Sequence, residues 1–123
     1  MRSVVRDQQI VSSMVEVIEV DEYVEANALS VDLIKMDTET TEDKVFLGMT
    51  RTLAKDQPVI FCEVLDAAVG QAIEKILRPF DYEFFLLTSS GQERCDHIVP
   101  DATWHNFLLR PAKSASSQAT DQQ

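Results

Sequence analysis

The sequence predicts an α/β domain whose sheet has a parallel centre and an antiparallel strand pair at its C-terminal end. Three observations carry that expectation. Two mostly apolar runs, Val31 to Met36 and Val59 to Cys62, each end in an acidic residue, as strands buried within a parallel sheet do. Between them the apolar spacing turns helical, supplying the crossover that parallel neighbours require. The runs YEFFLL and WHNFLL near the C-terminus have no helical segment between them, which suits antiparallel neighbours. A chain of 123 residues supports one domain, burying roughly two thirds of the surface its unfolded form exposes.

In chain order, Val15 to Val20, VEVIEV, alternates apolar and acidic residues with period two and reads as an edge strand or short ribbon. Asp21 to Ser30, with Tyr23, Val24 and Leu29 apolar, reads as a short helix ending near Asn27. Val31, Leu33, Ile34 and Met36 read as a strand buried on both faces, feeding a polar loop at Asp37, Thr38 and Glu39. Val45, Met49 and Leu53 fall at i, i+4 and i+8 beside Phe46, and Thr40 stands three residues before Asp43, so one helix is expected from about Glu42 to Lys55. After Pro58, Val59 to Cys62 forms the second core strand, ending at Glu63.

Val69, Ala72, Ile73, Ile76 and Leu77 mark an amphipathic helix that stops at Pro79, because proline lacks the N–H and crowds the preceding turn. Tyr82 to Leu87 is an aromatic-rich strand and SSGQ a turn. Gln92 to Thr103 reads as an exposed polar loop and Trp104 to Leu109 as the last strand. Beyond Pro111, AKSASSQATDQQ has no large apolar residue and is expected to be disordered. The expected division is an N-terminal segment 1–13, a domain 14–111 and a tail 112–123.

The formal net charge of -10 and pI near 4.5 disfavour nucleic acid and anionic membrane surfaces, which are bound through Lys and Arg. No run approaches the roughly 18 apolar residues of a membrane span. Asp7, Gln8 and Gln9 interrupt the N-terminus before it reaches signal-peptide length. Two cysteines make no disulfide framework, so a reducing cytoplasm is the expected compartment.

In open α/β sheets ligands sit beyond the carboxyl ends of the strands. Asp37 and Glu39 follow the first core strand and Glu63 ends the second, so these three are the candidate catalytic residues. Carboxylates there can orient a hydroxyl, act as a general base or bind a divalent cation. Each taken singly is also an ordinary solvated cap. Lys35, alone in an apolar run, is expected either to reach the surface or to pair with Asp37, two residues on and on the same face. His97 and His105 are possible bases, placed by the pattern in a polar loop and on a solvated strand face. Cys62, Cys95 and the histidines lack zinc-type spacing, so no metal site is expected from them. Gly48, Gly70 and Gly91 are isolated, which excludes GxG and GxGxxG phosphate turns, the P-loop and the nucleophile elbow. A receiver-type phosphoacceptor strand fails too, because Asp21 and Glu22 stand too close to Asp37 to be its acidic partners.

The run VEVIEVDEYVEANALSVDLIKMDTETTEDKVFLGM, followed by QPVIFCEVL and later DYEFFLL and NFLLRP, resembles the C-terminal part of FkbM-type methyltransferases. That family has a strand of the form DLIKIDxEG, a helix with a leucine, a glycine and a small or Met residue, then a proline and an apolar strand ending in glutamate. Here these correspond to Asp32 to Glu39, then Leu47, Gly48 and Met49, then Pro58 and Val59 to Glu63. The resemblance spans about Met14 to Pro111. It implies part of a class I, Rossmann-like methyltransferase sheet, S-adenosylmethionine as methyl donor, and O-methylation of a small hydroxylated or sugar-like acceptor beside Asp37 and Glu39. The glycine that follows the glutamate in the family is Thr40 here. The donor-binding half, with its glycine-containing first strand loop, has no counterpart, so cofactor-binding residues are not assigned. Two readings follow: an enzyme completed by a longer product or a complementing chain, and a non-catalytic remnant or interaction module that keeps the scaffold; in either, the open strand edge is expected to be covered by a partner or by self-association.

Overall fold

The computed structural model describes residues 10–112. Its elements are α1 (Val20–Ala26), β1 (Leu33–Met36), α2 (Glu42–Leu47), α3 (Thr50–Asp56), β2 (Val59–Glu63), α4 (Ala67–Leu77), a 3-10 turn (Arg78–Phe80), β3 (Tyr82–Thr88), β4 (Gly91–Cys95) and β5 (Asn106–Pro111). The strands form one sheet in the order β1-β2-β5-β3-β4. β1 and β2 are parallel, and the remaining neighbours are antiparallel. The expected parallel pair and antiparallel C-terminal strands are both present: β5 returns between β2 and β3 and pairs with both, which leaves the parallel pair at one edge of the sheet instead of its centre.

One sheet face and the helices enclose the core. Met36, Ile60, Cys62, Phe84, Phe107 and Leu109 from the strands cluster with Phe46, Leu53, Ile73 and Leu77 from the helices, all nearly inaccessible to water. Lys35, Phe61, Leu108 and Phe85 stand in cross-strand register on the opposite face and lie outside that cluster. The Arg110 guanidinium covers the Phe85 ring, 4.3 Å from its centroid.

Several expectations are corrected. VEVIEV is not a strand: residues 15–19 join no ladder among the described residues, Val20 already begins α1, and Val15 and Val17 are 77% and 91% exposed. Period-two alternation supplies a face, but no described strand lies beside it to pair. β1 is not buried on both faces, because it is an edge strand with Leu33 60% exposed. The polar stretch expected as a loop holds β4, which pairs with β3 across a tight turn at Ser89–Ser90, where Gly91 takes φ 118. Both faces of β4 are wet, so alternation could not reveal it. The last strand begins two residues late, because the Asp101 carboxylate accepts the N–H groups of Thr103 and Trp104 and folds that stretch into a turn. The expected disordered tail lies outside the described residues.

The single helix expected from Glu42 to Lys55 is broken at Gly48–Met49. The break is stitched from a distance by α1. The Asp21 N–H donates to the Gly48 carbonyl (2.9 Å). Its carboxylate, 2% exposed, accepts from Arg51 N–H (3.0 Å), Thr52 N–H (2.8 Å) and the Thr52 hydroxyl (2.7 Å). Asp21 therefore caps the first turn of α3, satisfying N–H groups that lack intrahelical partners. Gly48 lets Glu19 pass closely, since a Cβ there would lie 3.2 Å from its side chain.

The helix expected to stop at Pro79 does so, with Asp66 capping α4 by accepting from Ala68 N–H (2.7 Å). α4 also anchors the segment after β4. Gly70 packs so tightly that an added Cβ would sit 2.1 Å from the Ile98 carbonyl oxygen. One turn later Glu74, 6% exposed, accepts from Ile98 N–H (2.7 Å) and pairs with Arg78 (2.7 Å) and His97 Nδ1 (3.1 Å).

Burial pushes the Asp21 carboxyl up, but the hydrogen bonds from Thr52 and Arg51 prevail and hold it below the ordinary aspartate value. A lowered folded-state pKa gives stability that is present above the unfolded pKa and is lost as pH falls through the folded one. Asp21→Ala is expected to cost about 2–3 kcal/mol near neutral pH, with the deficit shrinking in acid, as read by urea unfolding at several pH values.

Candidate functional site

Parallel register builds the site. Met36 pairs with Cys62, so the next step along both chains sets Asp37 beside Glu63 at one rim. Glu39 is brought back toward them by two consecutive residues in the left-handed region, Glu39 at φ 59 and Thr40 at φ 75. One carboxylate oxygen from each of Asp37, Glu39 and Glu63 lies within 4.8 Å of the others. The structure thus brings together all three candidates that the sequence singled out.

The loop between them is held from inside. Glu42 Oε2 accepts the Thr38 N–H (2.8 Å), the Thr41 hydroxyl donates to the Thr38 carbonyl (3.1 Å), and the Thr40 hydroxyl donates to the Glu39 carbonyl. Glu42 is only 1% exposed, and its Oε1 has no hydrogen-bond partner among the described residues. Sequence reasoning missed Glu42. The available signal was an acidic residue in the first turn of a helix, within reach of the loop N–H groups before it.

Hydrogen bonding with Asp37, then burial and the charges of Asp37 and Glu39, raise the Glu63 carboxyl above the ordinary glutamate value, while His105 opposes them. Three carboxylates thus meet at one edge of the sheet. They can accept a hydroxyl hydrogen bond or offer one oxygen each to a hard cation. Cys62 is no nucleophile: burial and the charge of Glu42 push its thiol up to about 12. Among the described residues the one group of metal-ligating type is this acidic trio, and it includes neither cysteine and neither histidine. His97 is engaged at Glu74 instead.

Lys35 is exposed and makes no ion pair with Asp37, so the surface alternative holds. It borders a cleft of about 320 Å³ with Phe61 and Asn106, walled on its far side by Trp104, Leu87, Thr88 and Ser89. Lys35 precedes Asp37 by two residues, Phe61 precedes Glu63 by two, and Asn106 is the register partner of Glu63, so the carboxylates follow the cleft along the strands while none of the three lines it. Trp104 and Asn106 went unnoticed as site residues because only β5's antiparallel return brings them to this rim. A larger cleft of about 500 Å³ lies between the entry to α1 and α2, bordered by Val17, Ile18, Val45 and Leu47, none of which neighbours the carboxylates along a strand.

The glycines bear on whether a nucleoside-bearing donor fits here. Close backbone approach to such a group needs a turn free of side chains. Gly48 faces Glu19, Gly70 faces the Ile98 carbonyl, and Gly91 closes the β3–β4 hairpin. None lies on the Asp37–Thr40 loop, so the described residues provide no glycine cradle for the donor.

A five-stranded sheet with one parallel pair and an inserted antiparallel strand is consistent with a partial methyltransferase-like α/β fold. The family model for the methyltransferase FkbM domain matches residues 2–86, and the chain belongs to that family. The match contains all three carboxylates and ends within β3, so β4 and β5 lie beyond it. No curated protein and no solved structure matches the chain.

Two outcomes test the site's electrostatics and backbone. A carboxyl whose folded pKa is raised contributes stability below its unfolded pKa and loses it as pH rises through the folded one. Asp37→Asn is therefore expected to bring Glu63 down toward the ordinary glutamate value and to raise the neutral-pH melting temperature, as followed by carboxyl NMR titration and calorimetry. Thr40→Gly is expected to stabilise by about 1 kcal/mol in denaturant unfolding, because a β-branched residue at φ 75 carries left-handed strain that glycine lacks. A fall in stability would mean that the lost Thr40 hydroxyl bond to the Glu39 carbonyl, with the greater freedom of the unfolded glycine chain, outweighs the strain.

Proposed function

We propose that this chain supplies the acceptor side of an S-adenosylmethionine-dependent O-methyltransferase acting on a small hydroxylated or sugar-like molecule. The observation that carries the reading is the convergence of Asp37, Glu39 and Glu63 at the carboxyl end of the parallel pair in a member of the FkbM family. In this reading Asp37 and Glu39 accept hydrogen bonds from the acceptor and fix its orientation. Glu63, whose carboxyl its neighbours hold above the ordinary glutamate value, takes the proton of the reacting hydroxyl. The methyl donor is held by a complementing part, either further residues of a longer product or a second chain. A reducing cytoplasm suits the free thiols, and the acidity turns the protein away from nucleic acid and anionic membranes. No helix among the described residues is long and apolar enough to cross a membrane.

A second reading, an interaction module without catalysis, is favoured by the outer edge of β1, which has no strand partner among the described residues, and by the exposed Val15 and Val17. Calorimetry of the chain with S-adenosylmethionine is expected to show no binding tighter than about millimolar, given the missing glycine cradle. Micromolar affinity would overturn the assignment of this chain to the acceptor side. Sedimentation of the same sample is expected to show self-association through the open edge, and a monodisperse monomer would count against the interaction module.

A further inference from the structure

We infer that the cleft beside the carboxylates selects an acceptor with an anionic group at the opposite end of an apolar or aromatic body from its hydroxyl. The inference rests on the acceptor-side reading and adds a specificity residue, Lys35.

Lys35 is the one charged residue bordering the cleft, and no carboxylate lies within 4.0 Å of its ammonium among the described residues. Its neighbours there are flat and apolar: the half-buried Phe61 and Trp104 rings, with Leu87 beside them. A bound body against those walls excludes water from the ammonium, which strengthens its attraction for a counter-charge. Thr88, Ser89 and Asn106 add neutral donors and acceptors but no competing negative charge.

Direction comes from the strand. Lys35 lies on β1 and Asp37 just past its end, two residues on, so their backbone positions are separated by roughly 6.6 Å along the strand. The cleft carries the positive charge of Lys35, and the three carboxylates lie beyond its lining at the strand ends. A molecule carrying an anion at one end and a neutral hydroxyl at the other fits in one orientation only, because the reverse sets its anion against three carboxylates. That orientation delivers the hydroxyl to Asp37, Glu39 and Glu63. The net charge of -10 repels anions at long range, so selection depends on short-range contact with Lys35.

Trp104 is the single tryptophan of the chain, and its indole N–H NMR signal reports the cleft directly. The full chain is titrated, without methyl donor, with 4-hydroxybenzoate and with the neutral 4-hydroxybenzyl alcohol. The expected result is a saturable shift of the Trp104 signal, about tenfold tighter for the carboxylate probe, which corresponds to roughly 1.4 kcal/mol. Lys35→Met is expected to bring the two affinities together and Lys35→Arg to keep them apart; Lys35 is exposed, so both variants fold. Equal affinities in the unaltered chain, an unchanged ratio in Lys35→Met, or no saturable shift would each overturn the inference. The acceptor-side reading is tested separately by 4-methylbenzoate, which lacks the hydroxyl. Binding as tight as that of 4-hydroxybenzoate would remove the carboxylates from acceptor recognition and leave the Lys35 ratio standing.

Discussion

The parallel pairing of β1 with β2 is the constraint on which everything at the rim depends. Only when neighbouring strands run the same way do both carboxyl ends reach the same edge, and the register Met36 to Cys62 then leaves Asp37 and Glu63 no separation but the inter-strand spacing. In an antiparallel pair the same residues would sit at opposite ends of the sheet. The pairing brings like charges together, and the apolar layer below offsets the repulsion: Met36, Ile60 and Cys62 are sealed against Phe46 and Leu53. The like charges at the rim thus sit over a well-packed floor.

The crossover that makes this pairing possible is itself in two pieces, and α1 secures the joint. Asp21 takes over the first turn of α3, while Glu42 ties the start of α2 to the loop carrying Asp37 and Glu39. The rim loop thus has its backbone fixed by a buried glutamate and two threonine hydroxyls.

Local pattern revealed whatever depended on local order. Val59 to Glu63, the helix stopping at Pro79 and the run from Tyr82 were legible because each element's apolar period matches the face it buries. The three carboxylates were legible because strand ends in an α/β sheet meet at one edge. What escaped depended on partners distant in sequence. The Gly48–Met49 break answers to Asp21, the late start of β5 to Asp101, and the wet strand β4 has no apolar face to announce it. VEVIEV misled for the converse reason: alternation states that a face exists, and the described strands offer it no neighbour. Lys35 read as a surface position or an ion pair, and the structure takes the former.

Gly70 lies on α4, away from the rim, yet it bears on the cleft. The segment from Asp96 to His105 is pinned at its beginning, where Ile98 is pressed onto Gly70 and bonded to Glu74, and at its end, where the His105 carbonyl accepts the Val64 N–H (2.8 Å). Trp104 hangs between these fastenings like a door between hinge and latch. A single methyl group at position 70 would force the Ile98 carbonyl away and loosen the fastening at the start of the segment that carries Trp104.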